Sequence, residues 1–155
     1  SGVVPNCNMS LTPTNNSFGS AAITVTLADS GMPVLTDFET FTFTVNPVND
    51  APVLSTIGNQ VVEENSFLNV NFTVTDIDSV IMCSAVNFSV TSSNMVVMPT
   101  ANIVFSGTVP NCTATFTPTT NNFGTSNIAI TVNDLGTPNL LDTENFVLTV
   151  TEFND

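Results

Sequence analysis

Apolar and polar residues alternate with a period of two along most of this chain. Leu68, Val70, Phe72 and Val74 fall on one side of a strand, and Asn69, Asn71, Thr73 and Thr75 fall on the other. The same alternation runs through Val86/Phe88/Val90, Cys112/Ala114/Phe116, Ile128/Ile130/Val132 and Phe146/Leu148/Val150. Clusters of Asn, Gly, Pro and Asp, as in 119–124 and 133–138, separate these runs and predict turns. Shorter strands are predicted over 53–57, 60–62 and 102–105. No segment carries a 3.6-residue period. The pattern predicts an all-β chain built as a two-sheet sandwich.

The chain also repeats itself. Residues 1–50 set against 106–155 without a gap are identical at 25 of 50 positions. Both copies open on Ser-Gly-x-Val-Pro-Asn-Cys, run through Thr-Pro-Thr and Phe-Gly, and close on Asn-Asp. The period is 105 residues, so residues 51–155 are read as one complete repeat and residues 1–50 as the second half of a preceding one. Seven or eight short strands in about 100 residues argue for an immunoglobulin-like arrangement of that complete repeat. The half-repeat supplies strands over 7–11, 23–27 and 41–45, whose apolar faces need partners. Either the native chain continues upstream or another chain provides them.

Composition narrows the chemistry sharply. About 19 Lys and Arg would be ordinary at this length, yet the chain has none, and no His, Trp or Tyr. Its 13 Asp and Glu give a formal net charge of −13. Without cations there is no surface for nucleic acid and no attraction to anionic lipid. No apolar run reaches the ~18 residues of a membrane span. The general bases and oxyanion clamps of most enzymes are also missing, so the chain is read as non-catalytic. Apolar residues at 42%, with Thr present 25 times, are still enough for a strand-built core. Five Asn-x-Ser/Thr sequons, at Asn8, Asn15, Asn71, Asn87 and Asn111, are no more than chance predicts in so Asn- and Thr-rich a chain.

The period also orders the three cysteines. Cys7 and Cys112 are equivalent, and Cys83 lies 29 residues before Cys112. A Cys83–Cys112 disulfide inside the repeat leaves Cys7 orphaned by truncation or bonded to another chain. Buried free thiols are the alternative. Such a loop closure is worth roughly 3.5 kcal/mol on the chain-entropy model and implies an oxidising, extracellular compartment.

Four short motifs resemble those of cadherin-type repeats. Ile130-Thr-Val-Asn-Asp-Leu-Gly-Thr-Pro and Phe146-Val-Leu-Thr-Val-Thr-Glu-Phe-Asn-Asp resemble the last two strands of such a repeat. Val48-Asn-Asp-Ala-Pro-Val is similar to the linker into the next repeat, and Thr75-Asp-Ile-Asp-Ser to the Asp-x-Asp element. The set is similar to the cadherin-like and immunoglobulin-like tandem repeats of large bacterial surface adhesins. The resemblance implies a Greek-key β-sandwich with calcium at the junctions. Carried over by position, it implies Asn49, Asp50, Asp76, Asp78 and Asp134 as ligands. At the following junction it implies Glu63, Glu64, Glu152, Asn154 and Asp155. Asp29 is the first-copy equivalent of Asp134. Pro47 stands where the family's linker usually has another Asp, which implies one or two ions per junction. Electrostatics agrees in part: aspartates brought to ~4 Å repel by roughly 4 kcal/mol per pair at an effective dielectric near 20, and only an imported cation can relieve that here.

The implied function is a non-catalytic extracellular stalk, adhesin or surface fibre, stiffened by calcium, with neighbouring repeats or other copies of itself as partners. An alternative is a self-assembling filament in which another protomer completes residues 1–50. A glycan-binding module is the third reading, weakened by the lack of Trp and Tyr.

Overall fold

Strands form where β-branched and aromatic residues alternate with Thr and Asn, because that pattern fits a pleated, half-buried surface. The computed structural model describes residues 6–154. They fall into two units, Ser1–Val48 and Asn49–Asp155.

The first unit contains one antiparallel hairpin, β1 (Gly19–Ala28) with β2 (Thr36–Val45), in register from Gly19 opposite Val45 to Ala28 opposite Thr36. One face carries Ala21, Ile23, Val25 and Leu27 beside Phe43, Phe41, Glu39 and Asp37. The other is mostly polar apart from Phe38, with hydroxyl pairs Thr24–Thr40 at 2.9 Å and Ser20–Thr44 at 3.0 Å. The strand expected over 7–11 is not formed. Its counterpart in the second unit is held between two neighbouring strands, and the described residues of the first unit supply neither.

The second unit holds β3 (Val53–Leu54), β4 (Gln60–Glu63), β5 (Leu68–Thr75), β6 (Phe88–Ser92), β7 (Ile103–Thr108), β8 (Asn111–Phe116), β9 (Gly124–Asn133) and β10 (Leu141–Thr151). They make two four-stranded sheets, ordered β4-β10-β9-β6 and β3-β5-β8-β7. Only β4 and β10 pair in parallel. The sheets close over Val70, Phe72, Val74, Phe88, Ala114, Phe116, Ile128, Ile130, Val132, Phe146, Leu148 and Val150, all buried. Phe88 meets Phe72 edge-on and stacks on Phe105, with centroids 5.5 and 5.1 Å apart. A disulfide joins Cys83, in the β5–β6 connection, to Cys112 on β8, with Cα atoms 5.4 Å apart. Outward rows pair across strands, as in Thr113 with Asn71 and Thr115 with Asn69, both 2.8 Å. This is an immunoglobulin-like β-sandwich. Among the described residues no helix is long and apolar enough to cross a membrane.

Several strand limits differ from expectation: β1 and β2 start four and five residues before the predicted 23–27 and 41–45, and β9 and β10 extend likewise beyond their apolar runs. Val86 lies before β6 and is exposed, because the buried Asn87 accepts the Met82 N–H and donates to the Asn133 carbonyl, both at 2.9 Å. The strand predicted over 53–57 is laddered only at Val53–Leu54, since the chain there crosses to the other sheet and becomes β4. Thr100–Asn102 is a short 3-10 turn, and β7 starts at Ile103.

Strands β9 and β10 repeat β1 and β2 at an offset of 105, in the same register: Gly124 faces Val150 as Gly19 faces Val45. Gly19 and Gly124 share a φ of +134°, where any side chain would be strained. What differs is cover. Ile130 is fully buried between two sheets, whereas its counterpart Val25 is 44% exposed. Ile130→Ala should therefore cost about 2–5 kcal/mol of stability, against no more than ~0.5 kcal/mol for Val25→Ala, as read from urea unfolding. Reducing Cys83–Cys112 should remove roughly 3.5 kcal/mol in the same assay.

Candidate metal centre

One end of the second unit is built from three short segments. After β5 the chain turns at Asp76, whose Oδ1 accepts the N–H groups of Asp78 at 3.0 Å and Ser79 at 2.8 Å. Asp is the residue such a turn needs, because its short side chain reaches the backbone two residues on. Asp76 Oδ2 is buried and meets no hydrogen-bond donor. After β9 the chain turns again at Asp134, whose Oδ1 accepts Gly136 N–H at 2.8 Å and Leu140 N–H at 3.0 Å. Leu135 is held at φ +60°, a conformation costing a branched residue on the order of 1–3 kcal/mol. Its N–H donates to Asn139 Oδ1 at 3.1 Å.

Asn49 and Asp50 tie these two turns together. The Asn49 amide donates to Asp134 Oδ2 and, at 3.0 Å, to the Pro138 carbonyl. The Asp50 N–H donates to Asp78 Oδ2 at 3.1 Å. Gly136 is required by this contact: a Cβ there would overlap the Asn49 carboxamide. Asp134 is only 5% exposed. Burial alone would raise its carboxyl, but the N–H groups of Gly136 and Leu140, the Asn49 amide and its own N–H outweigh burial and hold it below the ordinary value.

The five residues expected at this end are thus joined, but not as a carboxylate cage. Among the described residues no three Asp, Glu or Cys groups converge to hold a metal. An amide and a backbone N–H, rather than charge on charge, bridge Asp134 and Asp78. At the opposite end Glu64 is buried; its Oε1 accepts Phe153 N–H at 2.9 Å, and its Oε2 is buried without a donor. Glu63, Glu152 and Asn154 are exposed, and Asp155 lies outside the described residues. In the first unit Asp29 makes the same turn as Asp134, accepting Gly31 N–H at 3.2 Å and Leu35 N–H at 2.8 Å, but it is exposed.

Two further carboxylates lie outside the cadherin-like motifs. Asp142 and Glu144 occupy core-facing positions of β10, opposite Val132 and Ile130. There Asp142 Oδ2 accepts Leu54 N–H at 2.7 Å and Glu144 Oε2 accepts Ile57 N–H at 3.4 Å. They serve the backbone where β3 leaves its ladder. The available signal was an acid on the apolar side of the alternation, repeated in the first copy as Asp37 and Glu39.

No protein-family model matches the chain, and no curated protein matches it. Solved structures share its fold. Protocadherin Gamma B2 extracellular cadherin domains 1–5 align with a TM-score of 0.60 at 18% identity, over 88% of this chain and 27% of that one. The protocadherin gammaB7 EC3-6 cis-dimer structure gives 0.56 at 20% identity, over 85% and 32%. Mouse cadherin-23 EC22-24 gives 0.51 at 17%, over 86% and 43%. The chain therefore spans less than half the length of each of these structures. The likeness establishes a cadherin-like sandwich.

The lowered Asp134 carboxyl makes a signed prediction. Its contribution to stability is complete above the unfolded value near 3.8 and is lost as pH falls through the lower folded value. Asp134→Asn should lower the melting temperature at pH 7 in chelator and flatten the acid limb below pH 3.8, as measured by thermal unfolding between pH 7 and 2.

Proposed function

We propose that this chain is a non-catalytic structural or adhesive repeat module of an extracellular surface protein, working as part of a calcium-stiffened stalk or fibre. Residues 1–50 are in this reading the second half of one repeat and residues 51–155 a whole one. The observation that carries it is the duplicated hairpin, two copies in one register at a fixed offset of 105 residues, which is how tandem arrays are built. The Cys83–Cys112 disulfide fits an oxidising compartment. The partners are then neighbouring repeats or further copies of the same protein.

Asn49, Asp50, Asp76, Asp78 and Asp134 are the residues that would hold calcium at one end of the sandwich. Glu63, Glu64, Glu152, Asn154 and Asp155 would serve the other. Bound calcium supplies a hard positive charge to oxygen donors. Support for it comes from the donors themselves: Asp76 Oδ2 and Glu64 Oε2 are both buried without a hydrogen bond, and the chain has no Lys, Arg or His to meet them. A buried carboxylate oxygen left this way is costly, and oxygen-rich, nitrogen-poor surroundings suit calcium rather than a softer metal.

Calorimetry in calcium against chelator tests the reading. At a calcium concentration ~100 times the dissociation constant, stability should rise by about 2.7 kcal/mol, a melting shift on the order of 10 °C for a domain of this size. Asp76→Asn, which keeps the Oδ1 turn bonds, should abolish most of the shift. Identical melting in calcium and chelator would overturn the calcium part.

A further inference from the structure

The first hairpin has a bare apolar face. Leu27 is 72% exposed and Phe41 40%, where their counterparts Val132 and Phe146 are 0% and 4% exposed. Among the described residues both of its outer edges are open as well, since that sheet contains only β1 and β2. The second unit displays what covers the same hairpin. There β6 pairs with the free edge of β9, β4 pairs with the free edge of β10, and the sheet containing β3 and β5 closes the face. All four of these strands come from residues 51–105.

A second, polar mark lies on the bare face. Asp37 and Glu39 sit on its apolar side, opposite Leu27 and Val25, and both are exposed. Their equivalents Asp142 and Glu144 are the carboxylates that accept the Leu54 and Ile57 N–H groups. On a surface that met only water, acids at two such positions would interrupt an apolar stripe for nothing. Facing an incoming strand, they are acceptors for backbone donors that would otherwise be buried unpaired.

We propose that the Gly19–Val45 hairpin is an acceptor surface for an extended polypeptide with the residue pattern of 51–105. Strands of the occupant add to both hairpin edges, its apolar residues cover Ile23, Val25, Leu27 and Phe41, and Asp37 and Glu39 bond the N–H groups at its Leu54-like and Ile57-like positions. A second copy of this chain is not the occupant. Its residues 51–105 already cover its own residues 106–155, so an assembly of this 155-residue chain alone has one covering segment for every two hairpins. Exchange of strands between copies leaves half of them bare. The inference rests on the repeat reading above but not on calcium.

The experiment is run in chelator, so that failure of calcium binding does not bear on it. The full chain is compared with a version carrying an added copy of residues 51–105 before Ser1, its cysteine replaced by Ser. A second arm adds that polypeptide separately to the unmodified full chain. Amide hydrogen exchange across residues 23–27 and 41–45 should slow by at least about 100-fold in either arm, approaching the rates at 128–132 and 146–150. Combined Asp37→Ala and Glu39→Ala should reverse at least about tenfold of that slowing and leave the unmodified chain's rates unchanged. Hairpin exchange that stays fast in both arms overturns the proposal. Slow exchange in the unmodified chain that tracks its concentration also overturns it, by showing that a second copy covers the face. Unaltered slowing in the Asp37/Glu39 variant overturns the anchoring role.

Discussion

The structure depends on burying one side of a two-stranded ribbon. A hairpin alone is marginal in water; β9 and β10 become the centre of a sheet because β4 and β6 add to their edges and a second sheet closes over Ile128, Ile130 and Val132. The chain carries its own comparison, since β1 and β2 repeat that ribbon without the cover. Eight of the twenty paired strand residues are the same and the register is unchanged, so the environments of Val25 and Ile130 differ chiefly through the strands that cover them.

The absence of any Lys, Arg or His imposes a second constraint. Every partly buried acid must be met by something other than a side-chain cation. Backbone N–H groups do most of this, at Asp76, Asp134, Asp142, Glu144 and Glu64, helped by the Asn49 amide at Asp134. Backbone donors are fixed by the fold, so each such acid is also a lock on a turn or a strand crossing. Where the donors run out, at Asp76 Oδ2 and Glu64 Oε2, each end of the sandwich holds one buried carboxyl oxygen without a hydrogen bond.

Much of the sandwich was legible because burial on one face writes itself as alternation: β5 and β8 follow their apolar runs closely, and β9 and β10 contain theirs but extend four and five residues further toward their N-terminal ends, where polar residues and acids take core-side positions. Residues 7–11 have the alternation of a strand but, among the described residues, no neighbours to ladder with, and a strand is a property of pairs rather than of a segment. Val86 misleads for a different reason, since the Asn87 side chain sets the strand's start through a bond to Met82 nearby and one to Asn133, 46 residues on. At the candidate site the motifs pointed to three segments that the fold brings to one end of the sandwich. Their spacing did not reveal that Asn49 would reach Asp134 through its amide, or that Asp76 would keep one oxygen dry. Asp142 and Glu144 were readable only as exceptions, acids on the wrong side of an apolar rhythm that recurs at 37 and 39.

The cross-link between the β5–β6 connection and β8 also shapes how the second unit would respond to pulling. Tension applied at its two termini is carried across the sulfur bridge from Cys83 to Cys112 and bypasses residues 84–111, so that loop stays slack even after every strand has peeled away. At ~3.4 Å per extended residue, roughly 95 Å of contour is withheld from the stretched chain. A fibre assembled from such units would yield in shorter steps than its sequence length suggests, and would lengthen further only when its thiols were set free.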